Sequence, residues 1–257
     1  KLKTKIDSRN EVTVIGLAGF DDMKLSDSPD DKGDEYLLSY LPSLKQETFT
    51  IGASYRQFAD RHIQTYVISY SYLNNRSLKY LNNDESSVGN IILDSSGLEG
   101  KAQMRFDNKS YYGSWTLREG VELNYKHCNA AVYRRMISGD VSDYGSDIGF
   151  FALGLYASAD YKSPSGKVNA SGGLRADGSF FSRRTSMFWR QLSPRASVSY
   201  MPWASWSFNA SAGLYHQLPP VTALSFRNAD GVLVNSRLDY MRVASAAIGA
   251  DWKLRDR

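Results

Sequence analysis

Long apolar runs are missing from this chain of 257 residues. No stretch approaches the roughly 18 consecutive apolar residues that a membrane-spanning helix needs, and mean hydropathy is −0.42. A helical membrane protein is therefore excluded. A β-barrel is not, because strands that alternate apolar and polar residues average out as mildly polar. Cysteine is nearly absent. Cys128 stands alone, so no intrachain disulfide forms and no cysteine cluster can build a metal site. The three histidines, His62, His127 and His216, lie far apart in sequence. No zinc spacing or nucleophile elbow occurs, and neither Gly172-Gly173 nor Gly97-Leu-Glu-Gly100 makes a phosphate loop. No cofactor and no enzymatic activity are expected. Net charge is only +4 and no Lys/Arg-rich helix is present, which argues against nucleic acid as a partner. The first residues, Lys-Leu-Lys-Thr-Lys, carry no methionine and no signal-peptide core, and the last, Arg-Asp-Arg, end abruptly. The chain reads as an internal piece of a larger protein.

What is abundant is aromatic side chains, 13% of the residues, and period-two alternation. In 167–177, Val168, Ala170, Leu174 and Ala176 oppose Lys167, Asn169, Ser171, Arg175 and Asp177. The runs 205–215, 243–255 and 101–107 repeat the pattern, with Trp206, Phe208, Ala210, Ile248, Trp252, Met104 and Phe106 among the apolar set. Residues 1–6, 11–20, 47–58, 62–72, 114–126, 147–161 and 192–200 also read as strands. About eleven strands result, most near the roughly 9–11 residues of a tilted membrane strand.

The connections alternate. Short ones fall near 7–10, 59–61, 110–113, 162–166 and 201–204, and long ones near 21–46, 73–100, 127–146, 179–191 and 215–240. Bacterial outer-membrane barrels have this rhythm of tight periplasmic turns and long extracellular loops. The expected fold is all-β, an antiparallel up-and-down transmembrane barrel segment, with one face of each strand in lipid and the other wet. Phe20, Tyr72, Tyr161, Tyr200, Trp203 and Trp252 are candidates for interfacial girdles. Glu119 is a misfit, because it shares parity with Leu117, Val121, Leu123 and Tyr125; a bulge near Gly120 would resolve it. The loops are polar, as in Ser26–Asp34 and Asn82–Ser87.

Three segments resemble the barrel of TonB-dependent outer-membrane receptors. They are Gly173-Leu-Arg-Ala-Asp-Gly178, Gln191-Leu-Ser-Pro-Arg-Ala-Ser-Val-Ser-Tyr200 and Ser207 through Pro220. Thr65–Ser69 and Leu73–Arg76 resemble Bacteroidetes-type members. The resemblance covers most of the chain and is densest over 167–254. It implies a 22-stranded barrel closed by an N-terminal plug, of which residues 1–257 are about half of the wall, with no plug and no signal peptide. It implies TonB-energised uptake of a scarce metal chelate, vitamin or glycan. The implied partners are outer-membrane lipid and lipopolysaccharide, the TonB system through the missing plug, and the ligand. The implied location is the outer membrane of a Gram-negative bacterium.

Ligand contact belongs to the long loops. Arg183, Arg184, Phe188, Trp189 and Arg190 form a basic-aromatic cluster suited to an anionic or planar ligand. Tyr215, Gln217, Phe226 and Arg227 flank a second long loop. The plain alternative is solvated loops whose aromatics pack on their neighbours. Cys128 is expected at a strand-loop edge, inert. Two other architectures stay open. A self-contained small barrel (a porin, adhesin or omptin-like protease with rim groups such as His216 and Asp230) requires the first and last strands to pair. A soluble β-sandwich binding module requires the apolar face to be buried between two sheets. In water without detergent, 1–257 expressed alone should aggregate or pair through its open edges. Sedimentation checks this, and a stable monomer would count heavily against the membrane reading.

Overall fold

A computed structural model describes residues 1–24, 41–228 and 230–254. Eleven antiparallel strands form one sheet in chain order. They are β1 (Leu2–Lys5), β2 (Asn10–Met23), β3 (Ser43–Phe58), β4 (His62–Tyr80), β5 (Ile91–Tyr112) and β6 (Trp115–Arg135), then β7 (Val141–Lys162), β8 (Val168–Ser179), β9 (Leu192–Trp203), β10 (Trp206–Gln217) and β11 (Met241–Trp252). The expected fold class is the one observed. Local chemistry makes the short turns. Asp7 accepts from the Arg9 backbone N–H at 2.7 Å and from the Asn10 amide. Gly113 and Gly166 supply positive φ, +58° and +70°, where a side chain would be strained.

The register sorts side chains onto two faces. Val12, Tyr55, Tyr66, Phe106, Val121 and Leu155 lie in one row across six strands. The next row holds Val14, Ala53, Ile68, Met104, Leu123 and Leu153. The opposite face carries ion pairs instead: Glu11 with Lys3 and Arg56, Arg105 with Asp107, Arg118 with Asp160, and Arg175 with Asp177. A hollow of about 680 Å³ is lined by polar-face residues from every strand of β6 to β11, Thr116, Asp160, Asn169, Ser199, Asn209 and Gly249 among them. The polar face is the inner, concave one, over which Leu218, Val221 and Leu224 fold onto Cys128 and Phe150, and the apolar face meets the surroundings.

Among the described residues, nothing covers that apolar face. Ile68, Met104, Phe151 and Ile248 are all half exposed or more. The buried hydrophobic residues among those described are Cys128, Phe150, Ala152, Leu218, Val221 and Leu224. No second sheet packs on the first among the described residues, which removes the support for the soluble sandwich. Among the same residues β1 and β11 do not pair, which removes the support for a self-contained small barrel.

The apolar band drifts through the register, and the drift gives a tilt. The mid-band row through Ile51 meets β5 at Ala102. The mid-band row through Ile248 runs by Ala210, Val198, Ala170, Tyr161 and Trp115 to meet β5 at Tyr112. From Ala102 to Tyr112 is ten residues, accumulated over the eight steps from β3 to β11. At roughly 3.3 Å per residue and roughly 4.8 Å between strands, a flat apolar belt requires strands inclined by about 40°. This is the inclination of strands in membrane barrels. Aromatics mark both edges of the belt. Trp115 packs on Tyr161 at 4.9 Å, and Trp206 stacks on Phe208 and Trp252 near the short turns. Phe20, 80% exposed, lies on the long-loop side.

Two expectations from sequence are corrected. Much of 73–100 and 127–146 is strand, since β5, β6 and β7 run for 22, 21 and 22 residues. The connection 136–140 is a tight turn around Gly139, φ +90°. Strands of this length stand roughly 55 Å tall at that tilt, about twice the height of an apolar belt. Their upper parts lie in water, where alternation is not required but backbone pairing still is. The strict short–long rhythm therefore fails between β6 and β7. Nor is there a bulge at Gly120. The register is unbroken there, and Glu119 stays on the apolar face, where the Asn108 amide donates to it at 2.9 Å. It stands one apolar-face position from Val121 toward the short turn, with Asn108 directly opposite it in the register. Gly120 has a separate reason: the Tyr156 ring lies across it on the polar face, and a Cβ there would come within 2.6 Å of the Phe106 carbonyl oxygen. Ser26–Asp34 lies outside the described residues.

Val121→Arg, at mid-belt on the apolar face, should destabilise the barrel by about 2–4 kcal/mol in lipid, whereas Gln103→Arg on the polar face should cost far less. Urea unfolding of the complete barrel in vesicles, followed by tryptophan emission, measures both. Gly120→Ala should cost about 1–3 kcal/mol through overpacking.

Candidate functional site

The one compact apolar cluster among the described residues lies on the concave side, under the connection between β10 and β11. Leu218, Val221 and Leu224 pack on Cys128 and Phe150, with Ile148, Phe181 and Tyr240 around them. Pro219-Pro220 leads into a helical turn, Val221–Leu224, closed by Leu224 N–H donating to the Pro220 carbonyl at 3.1 Å. Further contacts tie the segment to β7. Phe226 meets Tyr144 edge to face at 5.6 Å, and Arg227 Nε donates to Ser146 Oγ at 3.2 Å. Each buried aliphatic side chain contributes roughly 1.5–3 kcal/mol. The segment 218–240 is thus a folded roof over the polar face rather than a solvated loop. Cys128 sits at the centre of this cluster, fully buried inside β6, rather than at a strand-loop edge. The expectation failed because 127–135 continues the strand.

The β8–β9 connection has its own framework. Thr185 Oγ1 donates to the Ser179 carbonyl at 2.9 Å, and the Ser179 N–H donates to the Thr185 carbonyl at 2.8 Å. Phe181 packs on Phe150 at 5.2 Å, joining this loop to the roof. Phe188 covers Gly178, where a Cβ would fall 2.6 Å from the ring. Trp189 is left 69% exposed. Arg184 and Arg190 both reach the same oxygen of Asp239, at 2.9 and 3.3 Å. Arg183 is exposed and makes no ion pair among the described residues.

The structure therefore joins one of the two sequence-selected groups to the other's loop. Arg184 and Arg190 meet the foot of 218–240, whereas Phe226 and Arg227 are spent on holding that roof to β7. Tyr215 faces the concave side, where the Arg195 guanidinium lies 4.6 Å from its ring centre. Gln217 lines a cavity of about 200 Å³ between the wall and the roof, with Lys101, Asn124, Lys126 and Tyr240. Burial raises the Tyr240 phenol well above its ordinary range, so it stays protonated and able to donate. His216 and Asp230 do not meet. His216 Nδ1 pairs with Ser193 Oγ at 3.1 Å and Asp230 accepts from Asn228 at 3.3 Å. The protease rim considered from sequence is not assembled. Asp239 and Tyr240 escaped sequence reasoning; neither lies in a motif, and only the folded connection between β10 and β11 brings Asp239 to Arg184 and Arg190 and Tyr240 to the apolar cluster.

An inclined sheet with an uncovered apolar belt, a charged concave face and loops folded over that face defines the wall of an outer-membrane-type barrel. The chain belongs to the TonB dependent receptor-like β-barrel family, whose model matches residues 6–256. Among solved structures, it resembles the copper transporter OprC, with 12% identity and a TM-score of 0.70 over 97% of this chain and 41% of that one. A ferric enterobactin receptor, PfeA, from Pseudomonas aeruginosa gives 12% identity and 0.70, over 98% and 39%. FpvA of P. aeruginosa, solved with bound pyoverdines, gives 13% and 0.68, over 96% and 38%. The chain thus spans about two fifths of these structures. No curated protein matches the sequence. The family and these structural relatives are receptors and transporters, not enzymes.

Leu224→Asp should lift the roof without opening the sheet. Trypsin should then cut after Arg227 and Arg237 at least tenfold faster in the folded receptor, while the barrel keeps its heat-modifiable mobility on gels.

Proposed function

We propose that residues 1–257 form part of the barrel wall of an uptake receptor in the outer membrane of a Gram-negative bacterium. The receptor takes up a scarce ligand, such as a metal chelate, vitamin or glycan, with energy relayed by the TonB system. The observation that carries this reading is the division of the sheet. One face is apolar from β2 to β11 and suits lipid, while the other is concave, ion-paired and roofed by two loops at one end. A polar conduit with a structured mouth suits passage of a polar solute, and membership of the receptor-like barrel family supports it.

The partners follow from the same surfaces. Lipid, and lipopolysaccharide in the outer leaflet, covers the apolar belt. The charged concave face suits a plug domain through which the TonB system acts. The ligand meets the loop face, with Arg183, Arg184, Trp189, Arg190, Tyr215 and Gln217 as its candidate contacts. The relatives' ligands do not transfer at 12–13% identity, so the reading leaves the ligand as a class.

Two measurements on the full receptor test this. Uptake from a panel of ferric chelates, cobalamin and oligosaccharides should collapse when TonB is removed, and unchanged uptake would refute the energised mechanism. Deletion of 221–237 should abolish uptake of the responsive ligand by at least tenfold, while the barrel still inserts and runs as a folded species.

A further inference from the structure

Three arginines, Arg183, Arg184 and Arg190, lie on the β8–β9 loop, and a single carboxylate answers two of them. Asp239 belongs to a different loop. Arg184 and Arg190 both converge on its Oδ2, at 2.9 and 3.3 Å. Its other oxygen, Oδ1, is buried and has no hydrogen-bond partner among the described residues. The arrangement is an incomplete one. Two planar forks, each able to grip a pair of oxygens, share one oxygen of a monoanion, and the second oxygen is left without the donors that burial demands. The pairs are also half exposed, with 54% and 44% of the arginine side chains accessible, so water and salt weaken them. Beside them stands Trp189, exposed and not engaged in the roof's core.

We propose that Arg184 and Arg190 form an anion-binding site that Asp239 fills as a built-in competitor, and that a soluble oxygen-rich anion with two or more negative charges displaces it. Such an anion offers each guanidinium its own pair of oxygens, and the freed Asp239 carboxylate regains water on both. Because Asp239 is the foot of 218–240, the exchange cuts an electrostatic tie between the two loops and leaves the roof held by Leu218, Val221 and Leu224 and by the contacts of Phe226 and Arg227 with β7. The same event that binds the anion loosens the roof. Lipid phosphates are not the source: the site lies where the loops meet over the concave face, away from the lipid belt. The inference rests on the receptor reading for its ligand's identity, but the site and its competitor are properties of these residues.

The test uses the full receptor, purified in detergent, with inorganic pyrophosphate as the probe. In the unaltered protein, pyrophosphate should speed trypsin cleavage after Arg237 by about three- to tenfold, with a saturating dose dependence that an equal ionic strength of chloride does not reproduce. Asp239→Asn should bind pyrophosphate about three- to tenfold more tightly, and its cleavage should be fast from the start and insensitive to the anion. The double variant Arg184→Gln, Arg190→Gln should lose pyrophosphate binding while also showing fast cleavage. Heat-modifiable gel mobility reports whether each variant is folded, and the arm on the unaltered protein depends on no variant. The proposal is overturned if pyrophosphate leaves cleavage of the unaltered protein unchanged, or if folded Asp239→Asn binds it no more tightly. Both readouts are independent of transport. A receptor that moves no ligand can still pass, and one that transports normally can still fail.

Discussion

A backbone amide or carbonyl that faces hydrocarbon has no water to turn to, so it must pair within the protein. Everything else in this chain is arranged around that requirement. The ladder runs through the belt, with one register shift between Trp206 and Phe208 by the short β9–β10 turn, and it continues upward through the long strands into water. The register that satisfies the backbone also fixes which side chains meet lipid. Val121 and Leu123 reach the belt only because Glu122 turns the other way, toward Arg175. The ion pairs of the concave face are the counterpart of the bare apolar face. Both follow from a sheet with one surface in oil and the other in a wet interior.

How much of this could be read in advance depended on what lipid demands. Inside the belt every second residue must be apolar, so 167–177 and 243–255 announced themselves. Above the belt that demand lapses. Residues 91–100 and 127–135 look like loop in composition, yet their backbone extends the hairpins. Glu119 looked like a fault in register because a carboxylate on the lipid face is costly at mid-depth. It stays on that face without any bulge, and its register partner Asn108 donates to the carboxylate. Gly120, taken as a bulge marker, is instead the seat of the Tyr156 ring.

The loop residues were legible as chemistry but not as geometry. Clustered arginines with a tryptophan suggest an anion, whatever the fold. Their actual partner, Asp239, lies 49 residues beyond Arg190, and no local pattern points to it. The same holds for the roof. Leu218, Val221 and Leu224 are spaced like an ordinary apolar turn, and only the inward fold of the β10–β11 connection shows that they anchor on Cys128 and Phe150. The most conventional protein core in the chain is thus a small one, built outside the belt, where apolar side chains need protein rather than lipid to cover them.

The order of strands in the sheet is the order in the chain. Each strand touches only the one before and the one after, so the hairpin is a self-sufficient module with its own turn, register and share of belt. Duplicating or deleting one such module changes the circumference by two strands and leaves every other pairing intact. Walls of this kind can be resized in evolution by whole hairpins, and their bore follows the count, while the chemistry at the mouth is revised loop by loop.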